Sequence, residues 1–119
     1  MNGIKFLLDT NIVIGLYEGN SNILQLLKTR QVSIKECAYS SITRIKLLSY
    51  PALTPMDKQA IESLLDRMVY LAITLEIENE TIEFRRMHNT KLPDSIIAAT
   101  AKHHQPELLT LDKKLAAKL

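Results

Sequence analysis

The stretch Phe6-Leu7-Leu8-Asp9-Thr10-Asn11 constrains the fold more than any other part of the chain. A short apolar run stops at an aspartate, and Ile12, Val13 and Leu16 follow at helical spacing. A strand handed straight to a helix is the unit of a parallel sheet, because parallel neighbours need a crossover to bring the chain back. Ile4–Leu8 is therefore read as a first strand with Asp9 at its carboxyl end. Open parallel sheets collect their ligand-binding groups on that edge.

The alternation continues. Gly19 ends the first helix as a C-terminal stop. Ser21 is expected to cap a second helix carrying Ile23, Leu24, Leu26 and Leu27. Val32–Tyr39 is predicted as strand two, although Lys35 and Glu36 sit inside it. Ser40 and Ser41 open a helix through Ile42, Ile45 and Leu48, stopped at Tyr50-Pro51 because the residue before proline resists helical geometry. Thr54-Pro55 starts the next helix, which runs to about Met68. Val69–Thr74 is predicted as strand three from its β-branched and aromatic content.

Glu76–His88 reads as a polar helix with an apolar stripe through Ile77 and Phe84. Pro93 to about His103 is apolar on nearly every side, which predicts a buried helix. Leu108–Leu111 is predicted as strand four, and Asp112 opens a short last helix. Right-handed crossovers then give one α/β domain over residues 1–119, a parallel sheet covered on both faces. No internal repeat and no linker divides it.

At 119 residues the chain is long enough to bury a core without disulfides. The one cysteine, Cys37, reads as a small buried thiol and suits a reducing, cytoplasmic setting. No apolar run approaches the ~20 residues that span a bilayer, and Asp9 stands too early for a secretory signal. Fifteen bases against thirteen acids give a net charge of +2, with the signs interspersed. That balance permits an anionic partner such as RNA without demanding one.

Asp9 follows strand one and Asp112 follows strand four, so both fall on the carboxyl edge. Asp94 begins the helix that runs antiparallel to strand four, which brings it to the same edge. Carboxylates gathered this way repel one another unless a divalent cation or protons neutralise them. Hard oxygen ligands suit Mg²⁺ or Mn²⁺, whose usual chemistry with such ligands is phosphodiester hydrolysis. Singly, each aspartate is also a good helix cap, favourable at the positive end of the helix dipole. Together on one edge, with Thr10, Asn11 and Thr110 beside them, they favour a site.

Four blocks carry a resemblance: Leu7-Leu8-Asp9-Thr10-Asn11, Ser40-Ser41-Ile42-Thr43-Arg44-Ile45, Lys91-Leu92-Pro93-Asp94 through Ala101, and Leu108-Leu109-Thr110-Leu111-Asp112. In that order and spacing the chain resembles the PIN domain, and within it the VapC-like toxins of bacterial toxin–antitoxin pairs. The resemblance implies a three-layer α/β/α sandwich around a parallel sheet of four to five strands. It implies metal-dependent endoribonuclease activity with Mg²⁺ or Mn²⁺, and it matches Asp9, Asp94 and Asp112 to three family acids. Asn11 and Thr110 match flanking polar positions that bind a metal-bound water or phosphate. An RNA substrate, a homodimer and a small antitoxin seated beside the site are the partners it implies.

Two departures accompany it. Where the family ordinarily carries a glutamate on the helix after strand two, this chain has Lys46, of opposite charge. Either the ammonium occupies space meant for a cation, or the long stem carries it out to solvent and leaves a three-acid site. Glu36 is no substitute, lying roughly 13 Å from the edge at a strand's rise per residue. Family members also commonly run on into a further strand beyond the last acid.

The competing readings are a PIN-like module that binds antitoxin or RNA without catalysis, motivated by Lys46, and phosphoryl transfer through an Asp9 nucleophile. The latter needs a second acid nearby, where the chain has Asn11. Lys28, Arg30, Arg85 and Arg86 are candidate phosphate contacts, but Glu76, Glu78, Glu80 and Glu83 share the helix of the last two and favour a solvated face. His103 and His104 are expected at a helix end, interacting with its dipole.

Overall fold

In the computed structural model, which describes residues 3–119, Phe6–Leu8 (β1), Cys37–Ser40 (β2), Val69–Leu71 (β3) and Glu107–Leu109 (β4) form a parallel sheet in the order β3-β2-β1-β4. The described residues form seven helices: Thr10–Glu18 (α1), Ser21–Thr29 (α2), Ser41–Leu48 (α3), Pro55–Leu65 (α4), Leu75–His88 (α5), Leu92–His104 (α6) and Lys113–Ala117 (α7). None of them is long and apolar enough to cross a membrane.

The strands are apolar in both directions because both faces are covered. Leu8, Cys37, Tyr39 and Leu109 point into a core with Ile12 and Val13 of α1, Ile23 of α2, Leu47 of α3 and Ile61 and Leu65 of α4. The alternate residues Leu7, Ala38 and Leu71 meet Ile97 and Ala101 of α6. Phe84 of α5, Ala98 of α6 and Leu115 of α7 extend that second layer. The result is the expected three-layer α/β/α sandwich. The small residues of α6 are buried throughout Ser95–Ala101, as its all-round apolar character predicts.

The strands are shorter than their apolar runs. Val32–Glu36 was expected inside β2, but Ile34–Glu36 forms a 3₁₀ turn, and Val32 and Ile34 still pack on the core. Here β1 sets the limit: its first residue, Phe6, pairs with Cys37, so an earlier β2 would have no ladder to join. At the other end Ala72 to Thr74 leave β3 because Thr74 caps α5, its side chain accepting from Ile77 N–H at 3.2 Å. Thr110 and Leu111 likewise leave β4, for reasons that belong to the site.

Two local devices fold α2 onto α1. Gly19 closes α1 in the left-handed region at φ 67°, and Asn20 rather than Ser21 caps α2, accepting from Asn22 and Ile23 N–H. Gly15 faces Ile23, and a Cβ there would overlap that side chain. Thr54 and Asp57 form a reciprocal capping box on α4, as Thr54-Pro55 predicts.

The strand order fixes where a ligand can bind. From β1 the chain steps to β2 and β3 on one side, then returns through α5 and α6 to place β4 on the other side of β1. The carboxyl ends of β1 and β4 therefore flank the point where the winding reverses, and a crevice opens there.

Candidate functional site

Asp9 ends β1 and caps α1. Its backbone N–H donates to Leu109 O at 2.9 Å, which ties the end of β1 to the end of β4. Its side chain is only 6% exposed, so its charge requires partners. Oδ1 accepts from Thr10 N–H at 2.7 Å, while Oδ2 accepts from the Thr110 hydroxyl at 2.6 Å and from the Asn11 amide at 3.4 Å.

The same hydroxyl reaches the second aspartate. Thr110 Oγ1 accepts from Asp112 N–H at 3.0 Å, and Asp112 Oδ1 accepts from Lys114 and Leu115 N–H as the cap of α7. Asn11 Oδ1 accepts from Leu111 N–H at 3.3 Å. These contacts explain why β4 stops at Leu109: Thr110 and Leu111 turn out of the ladder to bond with Asp9, Asp112 and Asn11.

Asp94 lies in the first turn of α6, whose start is fixed by the Ser95 hydroxyl donating to Lys91 O at 2.8 Å. Asp94 is half-buried and its carboxylate accepts no hydrogen bond among the described residues. Lys46 comes from α3. Its position is set one turn earlier by Thr43, which is fully buried with its hydroxyl 3.0 Å from that of Thr10. Residues three apart share a helix face, so Lys46 projects toward the same side as Asp9.

One open cleft of about 360 Å³ is lined by Asp9, Thr10, Asn11, Ile14, Lys46, Asp94 and Asp112. The three aspartates expected on the carboxyl edge thus face one space, with Lys46 on its wall. Lys46 is exposed, and among the described residues its ammonium pairs with no carboxylate. A slightly larger groove, about 400 Å³, lies at the far end of α6 by Pro106 and Leu108. Among the described residues its lining has one acidic side chain, that of Glu107, so size does not select the site.

The donor chemistry of the cleft fits a hard divalent cation. Among the described residues Asp112 Oδ2 and both oxygens of Asp94 accept no hydrogen bond, and a carboxylate oxygen keeps lone pairs beyond those the N–H groups use. Among the described residues no three acidic, imidazole or thiol groups draw close enough to form a ready-made cage. An ion such as Mg²⁺ keeps several waters and takes one or two carboxylates directly, so it does not require such a cage.

The other candidates lie elsewhere. Arg30 is engaged by Glu107 at the opposite edge of the sheet, and Glu36 by Lys5 at 2.9 Å. Arg85 Nε donates to Thr90 O and braces the α5–α6 turn, while Lys28 and Arg86 are exposed. His103 sits in the last turn of α6 but faces Glu80 at 3.3 Å. Burial, reinforced by Glu36, pushes the Cys37 thiol up to about 11, which leaves it unreactive at neutral pH. Sequence reasoning missed the Thr10–Thr43 contact and Ile14. A threonine inside the α3 stripe was the available signal for the first, whereas nothing in sequence marks the second.

The family model for the PIN domain matches residues 6–118. Among solved structures, a chain of a toxin–antitoxin complex from Klebsiella pneumoniae is 31% identical, with a TM-score of 0.81 over 92% of this chain and 88% of that one. FitAcB from Neisseria gonorrhoeae, 21% identical with a TM-score of 0.74, covers 95% and 91%. VapBC2 from Rickettsia felis, bound to a DNA fragment from its promoter, is 19% identical with a TM-score of 0.72 and covers 96% and 92%. The last two share the fold. No curated protein matches the sequence.

Proposed function

The chain belongs to the PIN domain family, and from that premise we propose that it is the metal-dependent endoribonuclease toxin of a toxin–antitoxin pair, hydrolysing RNA phosphodiesters. The observation that carries this reading is the convergence of Asp9, Asp94 and Asp112, from three separate elements, on one cleft at the reversal of the sheet. The toxin–antitoxin assignment is supported by the 31% identity to the Klebsiella pneumoniae protein.

In this reading Asp9, Asp94 and Asp112 hold Mg²⁺ or Mn²⁺. When bound, the ion polarises a phosphate oxygen and lowers the pKa of water. The chain's own contribution is placement. Thr110 and Asn11 donate to one oxygen of Asp9 and fix its plane, so they act as positioning residues. The N–H groups of α7 occupy one oxygen of Asp112 and leave the other available. A small antitoxin seated beside the cleft and a homodimer complete the proposal. Exposed Ile14 at the cleft and exposed Ile45 and Tyr50 on and after α3 offer apolar surface for such contacts.

Purified protein is expected to cleave RNA with Mn²⁺, to stop when EDTA removes the metal, and to lose the activity in Asp9→Asn. Cleavage that persists in Asp9→Asn overturns the assignment. Lys46 on the cleft wall favours a second reading, a PIN module that binds without catalysis. A silent native protein made active by Lys46→Glu supports the second reading. Equal, robust cleavage by both discards it.

A further inference from the structure

Resting on the reading of this cleft as an RNA site, we propose that Lys46 anchors a backbone phosphate of the RNA, so that this corner of the site binds the substrate rather than a metal. Among the described residues lining the cleft, Lys46 is the one cation, with three carboxylates in the same lining. An ammonium beside unneutralised acids ordinarily pairs with one of them, since opposite charges attract at short range even in a solvated cleft. Here it pairs with none of the described carboxylates and stays exposed.

The position is nevertheless fixed. The Thr43–Thr10 contact is buried and joins α3 to the first residue after Asp9, and Leu47 beside Lys46 is 8% exposed in the core. Thus the base of the lysine is held while its charged end is unpaired among the described residues. That combination suits a strongly hydrated point charge receiving a phosphate oxygen from outside, with no carboxylate among the described residues to displace first. The acids repel RNA when no metal neutralises them, so an attractive group on the wall has its largest relative effect in metal-free protein.

The test is binding of a fluorescein-labelled single-stranded RNA of about 20 nucleotides to the full chain, read by anisotropy in EDTA across a salt series. Removing one phosphate contact lowers the slope of log affinity against log salt by about 0.7 for single strands. Lys46→Gln is expected to weaken binding by roughly tenfold at low salt and to reduce the slope by that amount. Lys46→Arg is expected to restore both, because it keeps the charge. Lys35→Gln at the opposite edge controls for net charge and is expected to change neither.

The proposal is overturned if Lys46→Gln binds like the native chain, if Lys46→Arg fails to rescue, if Lys35→Gln costs as much, or if native protein binds no RNA in EDTA. Cleavage with Mn²⁺ is scored separately. A chain that binds RNA through Lys46 but never cleaves it fails the nuclease reading and keeps this one. A chain that cleaves while indifferent to position 46 does the reverse.

Discussion

At the amino edge of the sheet two acids face bases: Glu36 meets Lys5 at 2.9 Å, and Glu107 takes Arg30 on both oxygens at 2.5 and 2.6 Å. At the carboxyl edge Asp9, Asp94 and Asp112 share a cleft with Lys46 and pair with none of the bases described. Exposed pairs like those at the amino edge add little stability, but they cancel charge locally. The carboxyl edge sustains its charge with a hydroxyl, an amide and the N–H groups of helix N-termini, which hold carboxylates without neutralising them. On the proposed reading it is the edge that binds the metal.

The largest expected effect separates the two edges by activity. Asp9→Asn keeps the shape of the side chain and is expected to lower Mn²⁺-dependent RNA cleavage by about a hundredfold or more. Glu107→Gln is expected to stay within roughly twofold, in keeping with the small weight of exposed pairs. Similar losses in a cleavage assay break the comparison.

Metal binding gives the next effect. Asp94 accepts no hydrogen bond among the described residues, so Asp94→Asn should melt like the native chain in EDTA. Mn²⁺ at about a hundred times its dissociation constant stabilises a folded protein by about 2.7 kcal/mol. Native protein and Glu107→Gln should show that rise in melting temperature, and Asp94→Asn should lose most of it. A full rise in Asp94→Asn removes this aspartate from the metal set.

Thr110→Val comes third. It deletes the hydroxyl that donates to Asp9 and accepts from Asp112 N–H, at an expected cost of about 1 kcal/mol in a denaturant titration. Activity should fall by roughly tenfold through misplacement of Asp9. Arg30→Met, which cuts a contact at the amino edge, should leave activity intact. Native activity in Thr110→Val means that Asp9 is held well enough without it.

The carboxyl edge was legible in sequence because topology places it. An aspartate after a strand, or at the start of the helix before one, reaches that edge whatever the exact boundaries, so an error of five residues at the start of β2 and of one or two in β4 moved none of the three aspartates off it. The boundaries themselves depended on partners in space. Nothing in Val32–Glu36 says that β1 begins only at Phe6, and nothing in Leu108–Leu111 says that Thr110 turns aside to bond with Asp9. The orientation of Lys46 was equally hidden. Helical spacing left it at the margin of the apolar stripe, and the buried Thr10–Thr43 contact, with Leu47 in the core, sets which way α3 faces.

The smallest effect tests whether Asp112 is more than a cap, by using an acid that is only structural. Asp57 belongs to the capping box of α4 and also accepts from the Tyr17 hydroxyl at 3.0 Å, away from the cleft. Hydrogen bonds from Thr54 and then Tyr17 hold its carboxyl below the usual range, and the bond to Asp57 pushes the Tyr17 phenol up. The lowered acid contributes stability above its unfolded value near 3.9, lost as pH falls through the folded value. The raised phenol contributes below about 10, lost as pH climbs through its higher folded value. Tyr17→Phe should therefore lower the melting temperature by a small constant amount from about pH 5 to 9, with the difference shrinking on both sides. A difference undiminished in acid removes Asp57 as its cause. Mn²⁺ should leave that difference unchanged, whereas Asp112→Asn should keep its cap, because an amide oxygen accepts from the same two N–H groups, and lose its response to the metal. If Asp112→Asn keeps the full metal response, Asp112 belongs with Asp57 and the cleft has two working acids.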